Sequence, residues 1–275
     1  MLKGRIALVY SKRDLAGTGI ALHLNNIVGF RKYTSLRDTD ILRHEDVFLA
    51  GFDEDVLYFD FLDEVFDVDA YIVLSRHRSS AKIKSLTVHH TGNPGPRADA
   101  GGRPFELSIA YPPMAKKLLV LVKKYADETR LSEEYDVTLE VTHHGPTNLK
   151  KPLVFIEIGS SPEEWVDERA RKLIAQVVAD AIATPLPNCI PATGFGGGHY
   201  ARKHTKVMLE TDYCLGHIFS KHAIQETKPE VILQAFKKSI PPSKAAVIEK
   251  KGVKSRERKM IEELATNSGL EIVKV

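Results

Sequence analysis

Cysteine is scarce in this 275-residue chain: Cys189 and Cys214 stand alone, with no Cys-x-x-Cys spacing for a thiolate metal clamp and no disulfide framework to expect. Nucleotide signatures are missing as well, because Gly17-Thr18-Gly19 fits neither G-x-G-x-x-G nor a Walker loop. These glycines are read instead as points of close helix packing. No apolar run approaches the roughly 20 residues that span a bilayer, and Met1-Leu2-Lys3-Gly4-Arg5 leads directly into a strand. A cytoplasmic protein without membrane contact is expected. Gln and Asn number only three and six beside 39 Lys and Arg, a bias associated with hyperthermophiles. The remaining balance, 43% hydrophobic and 27% charged, is that of a soluble globular protein able to bury a substantial core.

What the chain does have is histidine in company. Six of its eleven histidines fall in three short segments: Val88-His89-His90-Thr91-Gly92-Asn93-Pro94-Gly95, Val141-Thr142-His143-His144-Gly145-Pro146-Thr147 and Gly196-Gly197-Gly198-His199-Tyr200-Ala201-Arg202-Lys203-His204. Each joins an extended run to turn residues, where α/β folds display binding and catalytic groups. The three segments are read as walls of one site. Imidazole, with a pKa of about 6.5, serves near neutral pH as base, acid or metal ligand. Successive side chains of a strand face opposite ways, so one member of each doublet is expected at the site. His199 and His204 would stand about 140° apart on a helix, so a shared role needs an irregular segment between them. Three consecutive glycines expose backbone N–H groups to a phosphate or oxyanion, beside a helix expected to begin near His199.

Around these segments the chain reads as α/β. Residues 5–11 form a strand and Asp14 caps a helix to about Ile27. Residues 38–69 hold twelve Asp and Glu against one Arg and are read as a solvated acidic face, without the spacing of calcium ligands. Residues 70–75, 85–89, 135–142 and 153–158 read as strands, and Arg76, His77 and Arg78 give the first a cationic end that suits either an anionic ligand or a solvated loop. Residues 94–104, rich in Gly and Pro with Arg97 and Arg103, form a loop long enough to be functional. Met114, Leu118, Leu121, Val122 and Tyr125 have helical spacing. Ser161-Pro162-Glu163-Glu164 is a capping box opening a helix expected to run unbroken to about residue 183, with a stripe at Val166, Ala170, Leu173, Ile174, Val177 and Ala181. Residues 245–274 close the chain as β-α-β. Residues 234–260 carry nine Lys and Arg against two Glu, a net +7, so the rest of a +3 chain sums to −4. That segregation is compatible with a nucleic-acid backbone as partner and, from charge alone, with a solubilising surface.

On His89-His90-Thr91-Gly92-Asn93, Thr142-His143-His144-Gly145-Pro146-Thr147 and Gly196-Gly197-Gly198-His199-Tyr200-Ala201, the chain resembles over almost its whole length the archaeal and plant type of D-aminoacyl-tRNA deacylase. That family commonly has a proline after His-Tyr-Ala, where this chain has Arg202. The resemblance implies one α/β domain over residues 1–275: a three-layer α/β/α fold with a mixed, largely parallel sheet, similar to peptidyl-tRNA hydrolases and purine nucleoside phosphorylases. It also implies zinc and hydrolysis of the ester joining a D-amino acid to tRNA.

On that reading one imidazole of each doublet, with His199 or His204, holds zinc or acts as general base. The ligand candidates are His89, His90, His143, His144, His199 and His204, and the catalytic ones His90, His144 and His199. Amides of Gly196, Gly197 and Gly198 would stabilise the oxyanion, with Glu157 either a carboxylate partner or, more simply, one half of a buried salt bridge. Lys250, Lys251, Lys254, Arg97 and Arg103 are candidate contacts for aminoacyl-tRNA, and a monomer is expected. Two alternatives are a metal-dependent amidase or peptidase of similar fold, which needs no basic region, and a non-catalytic tRNA-binding module, which leaves the doublets unexplained.

Overall fold

The computed structural model describes residues 1–275 and divides the main strands between two sheets. The larger sheet is built from β1 (Ile6–Ser11), β2 (Arg31–Leu36), β3 (Thr39–His44), β4 (Val47–Phe52), β5 (Ala70–Arg78), β6 (Ser85–His89), β7 (Asp136–Leu139) and β8 (Leu153–Ser160). Their order is β7-β6-β8-β5-β1-β4-β3-β2, parallel except where β6 meets β8 and along the β2–β3–β4 meander. The stretch read as an acidic face is therefore partly sheet, and every residue of β4 is buried.

Three helices, α1 (Leu15–Val28), α2 (Pro112–Glu128) and α3 (Glu168–Ala183), pack on one face. Asp14 caps α1 by accepting from the N–H groups of Ala16 and Gly17. Gly17 has the packing role expected of it: a Cβ there would sit 2.5 Å from the Leu74 carbonyl oxygen, so any larger residue would push α1 off β5.

Strand alternation separates the two faces. Ile72, Leu74, Leu86, Val88, Val154, Ile156 and Ile158 turn toward the helices, in a core that continues through α2 into Leu215 and Val247 of the second sheet. Tyr71, Val73, Leu153 and Phe155 turn the other way and pack with Phe52, Phe59 and Phe66. Farther along that second face the side chains become Ser75, His77, Thr87, His89 and Glu157, polar yet all buried. A buried polar group needs partners or costs stability, so this end of the sheet is where function is sought.

The smaller sheet, all parallel, has the order β10-β9-β11-β12, formed by β9 (Ile190–Phe195), β10 (Tyr213–Phe219), β11 (Ala245–Ile248) and β12 (Glu271–Lys274). Around it lie α4 (Arg202–Glu210), α5 (Lys221–Glu226), α6 (Pro229–Lys237) and α7 (Ser255–Asn267). The closing β-α-β is as expected. No helix is long and apolar enough to cross a membrane.

Two expectations are corrected. The capping box at Ser161 is present, but its helix stops after one turn, Pro162–Trp165. Asp167 then caps α3 afresh by accepting from the Arg169 N–H, and Val166 lies in the break, 46% exposed. Trp165 is drawn out of line because its indole N–H donates to the His77 carbonyl at 2.9 Å. The cysteines are not isolated either: Cys189 and Cys214 form a disulfide. The register of β9 on β10 sets Pro191 opposite Cys214, which brings Cys189, just ahead of β9, within reach. Sequence separation hides a contact that only sheet register creates.

Candidate active site

Two irregular stretches close the polar end of the sheet face. After β7 the chain leaves the ladder at Glu140 and runs through His144, while the residues after the glycine run are stitched to it. Glu140 bridges Tyr200, and the Val141 N–H donates to the His199 carbonyl at 3.0 Å. His144 has a left-handed φ of 46°, and its carbonyl accepts from the Gly92 N–H at 2.8 Å. Strict alternation therefore ends before this doublet, so His143 and His144 both reach the site where one was expected.

His89, His143 and His144 each present a ligand atom within 4.8 Å of the others. The Nδ1 of His143 meets the Val141 carbonyl at 2.8 Å, that of His144 the Gly145 carbonyl at 2.7 Å, and that of His89 the His90 carbonyl at 3.4 Å. A carbonyl accepts, so the proton of each ring sits on Nδ1 and the Nε2 lone pair is left free. His77, Glu140 and His199 form a second such group. Glu140 joins the two: Oε1 lies 3.1 Å from His77 Nδ1, and Oε2 lies 3.0 Å from His199 Nε2 and 3.4 Å from His143 Nε2. Glu157 Oε2 is 3.4 Å from His89 Nε2.

Burial drives the electrostatics. It pushes His89 down to about 4 and His144 down to about 3, and it holds His143 well below its usual value. These three imidazoles are neutral at physiological pH. Burial also opposes the charge of Glu140, but hydrogen bonds from His199 and His77 outweigh it and hold the carboxyl well below its ordinary range. His77 and His199 are raised in return, against the opposing effect of burial. For Glu157, burial followed by the charge of Glu140 outweighs His77 and a hydrogen bond from Ser75 and pushes it well above the usual carboxylate value.

The group opens into a cleft of about 540 Å³ lined by His77, His143, His144, Glu157 and His199 together with Asp14, Asp55, Arg76 and Arg78. His199, with 41% of its side chain exposed, offers the most accessible imidazole of the Glu140 group. Arg76 lies 3.8 Å from Asp14 and 3.4 Å from Asp55, over the Trp165 ring. The cationic strand end expected at residues 76–78 thus lines the cleft.

Residues 64–273 match the family model described as D-aminoacyl-tRNA deacylase. The chain belongs to the D-aminoacyl-tRNA deacylase family. A family member from Staphylothermus marinus, named D-aminoacyl-tRNA deacylase, is 46% identical over 266 residues, covering 96% of each chain. Another from Aeropyrum pernix, of the same name, is 42% identical over 276 residues, covering 98% of this chain and 99% of the relative. A crystal structure of a conserved protein of unknown function superposes with a TM-score of 0.92 at 32% identity, over 100% of this chain and 96% of that one.

Against this geometry the family's motif residues divide. His89, His143, His144 and His199 meet, and Glu157 meets them. His90 does not: it points to the opposite side, where its Nδ1 meets the Gly216 carbonyl at 3.0 Å and its Nε2 accepts from the Tyr111 N–H at 3.0 Å. Both ring nitrogens serve the backbone, so no lone pair remains for a metal or a proton transfer. His204 is fully buried under β11, its Nε2 3.3 Å from the Val247 carbonyl. The helix expected near His199 begins only at Arg202, and His204 lies within it. The Gly196 N–H is already given to the Phe219 carbonyl at 2.8 Å, whereas Gly197 and Gly198 keep free amides. Arg103 is exposed in a loop fastened beside the second doublet, its N–H donating to Thr147 Oγ1 at 3.0 Å. Arg97, Lys250, Lys251 and Lys254 are exposed.

Sequence reasoning missed Glu140 and the role of His77. A signal existed for the first: Glu140 stands three residues before His143, in a run of otherwise apolar or β-branched residues.

Proposed function

We propose that this protein hydrolyses the ester bond of D-aminoacyl-tRNA, releasing free D-amino acid and tRNA. The observation that carries the reading is the cluster of His89, His143, His144, Glu140, His77 and His199 in a cleft rimmed by Arg76 and Arg78, in a chain that matches its relatives end to end. The cluster fits a metal. Buried His89 Nε2 has no hydrogen-bond partner within the protein, the charge of Glu140 is met only by the imidazoles around it, and the donor set of neutral imidazoles with a carboxylate suits zinc. His89, His143 and His144 would hold it, with Glu140 and then His77 and His199 completing or extending the set. Zinc bound there supplies Lewis acidity toward an ester carbonyl and toward water.

The chain's own groups divide the remaining work. Backbone carbonyls fix the three imidazole rings, so their free nitrogens stay aimed without reorganisation. His199, open to the cleft and oriented by Glu140 at Nε2, is placed to pass a proton to the leaving ribose oxygen. The free amides of Gly197 and Gly198, which lead into His199, are available to the oxyanion. Arg76 and Arg78 offer charge to the terminal phosphate, while Arg103, Arg97, Lys250, Lys251 and Lys254 contact the tRNA body outside the cleft. The protein acts as a cytoplasmic monomer. Incubation of purified protein with D- and L-aminoacyl-tRNA, with and without chelator, tests the reading: turnover of the D-ester alone, abolished by chelation and restored by zinc, is expected. Full activity in metal-free protein would move the chemistry to histidine acting alone.

A further inference from the structure

Lys221, Lys251 and Lys254 converge from two elements on a hollow of about 180 Å³ whose wall includes Gly252 and Glu257. None of the three lysines forms an ion pair, and the nearby Glu249 is already 3.5 Å from Lys203. Glu257 differs from its surroundings, because its Oε2 is buried and has no hydrogen-bond partner. An anion alone would satisfy the lysines and leave that oxygen unpaired. A ligand with an anionic group next to a hydroxyl donor satisfies both.

The hollow adjoins the cluster described above. The Lys221 N–H donates to the Gly197 carbonyl at 3.0 Å, and Gly252 lies so close behind that a Cβ on it would be 2.7 Å from Gly197 N. Gly197 is two residues from His199, a reach of about 7 Å at most. A strand delivering its terminal ester to His199 would pass this hollow with its neighbouring sugar and phosphate.

We propose that Lys221, Lys251, Lys254 and Glu257 form a ribose-phosphate subsite for the RNA strand that carries the ester, the lysines holding a phosphodiester and Glu257 Oε2 accepting from a ribose 2′-hydroxyl. This rests on the function proposed above. The 2′-hydroxyl distinguishes RNA from DNA, so the subsite reads the sugar as well as the charge. α7 adds to it, since Lys254 gives the helix no side-chain cap and leaves its first N–H groups free. Lys250, on the same loop, does not line the hollow.

The test is fluorescence anisotropy of a labelled, uncharged acceptor-stem minihelix with a single-stranded 3′ end. The triple variant Lys221→Gln, Lys251→Gln, Lys254→Gln is expected to weaken binding about tenfold, the loss of charge-assisted hydrogen bonds to one phosphate. Its log-log salt slope should fall by about 0.7, one single-strand contact. Lys123→Gln, on α2 and paired with Asp127, should leave both unchanged. Wild type should favour the ribose strand over a 2′-deoxy copy, and Glu257→Ala should erase that preference. Unchanged affinity and slope in the triple variant, a preference that survives Glu257→Ala, or displacement of the RNA by inorganic phosphate as complete as by unlabelled minihelix would each overturn the subsite. Deacylation is measured separately: a wild type that binds through these residues but releases no D-amino acid overturns the proposed activity and leaves the subsite standing.

Discussion

His89→Ala and His90→Ala separate two neighbours that sequence alone treats as equivalent. His90 bridges the Tyr111 N–H and the Gly216 carbonyl, each at 3.0 Å, and is fully enclosed. Its removal leaves a donor and an acceptor unpaired, at about 1–3 kcal/mol each. A total near 4 kcal/mol corresponds to a fall in Tm of roughly 10 °C for a chain of this size. The folded fraction should keep wild-type turnover. His89 behaves in the opposite way, because its Nε2 has no partner within the protein and its loss strands no buried donor. Given up are the packing against Phe155, His143 and His144, with ring centroids 5.1, 4.5 and 4.9 Å away, and a long bond to the His90 carbonyl, together about 1–2 kcal/mol. Its kcat/KM should drop at least about 100-fold, near 2.7 kcal/mol in the barrier. Thermal melts on chelator-treated protein isolate folding from metal linkage, and deacylation of D-aminoacyl-tRNA by zinc-loaded protein gives the rates. A His90→Ala protein that melts like wild type but turns over a hundredth as fast would refute the assignment of roles within the doublet.

Glu140→Gln keeps the shape of the side chain and removes its charge, so zinc affinity should fall about 100-fold while the fold is retained; competition with a chromophoric chelator measures this, and an unchanged affinity would remove Glu140 from the site. Burial pushes His204 and His217 down to about 4, whereas in the unfolded chain each titrates near 6.5. The unfolded state therefore binds protons first: stability is complete above about pH 6.5 and lost as pH falls toward 4, by about 2 kcal/mol per residue at pH 5. Denaturant midpoints at the two pH values read this out, and equal midpoints contradict it. Cys189→Ser should cost about 3 kcal/mol, the closure entropy of a bridge between residues 25 apart, visible as a lower Tm under oxidising conditions only.

The sequence exposed the site's existence more readily than its membership. Capping by Asp14, the packing role of Gly17 and the β-α-β close all follow from local chemistry, and local chemistry is what a single chain displays. The doublets pointed to a candidate site for the same reason: paired imidazoles before a turn, twice in one chain, are seldom structural throughout. Which imidazole faces inward depends on where a strand ends, however, and that is decided by tertiary stitching. Alternation holds through β6, so His89 and His90 part company as expected. It has lapsed by the second doublet, because Glu140 bridges Tyr200 rather than continuing β7, and both His143 and His144 turn inward. The disulfide and the break at Val166 were hidden in the same way, by sheet register and by a competing cap at Asp167.

His77, Thr87, His89 and Glu157 were nevertheless recoverable by a rule the strands themselves supply. In β5, β6 and β8 the positions facing α1, α2 and α3 are apolar until the last residues, Arg76 and Arg78 of β5 and Ser160 of β8, while the alternate positions switch from Tyr71, Val73, Leu153 and Phe155 to Ser75, His77, Thr87, His89 and Glu157. A strand whose alternate positions turn polar as it approaches solvent is ordinary. Here the switch occurs with every one of those side chains still buried, and burying them unpaired would cost several kcal/mol. The fold tolerates that cost only if something satisfies them, and within the chain nothing fully does: Thr87 Oγ1 and His89 Nε2 remain without hydrogen bonds, and the Glu140 carboxylate is met only by imidazoles. The incomplete satisfaction of this cluster, more than the count of its histidines, is the physical reason to expect that a cation belongs there.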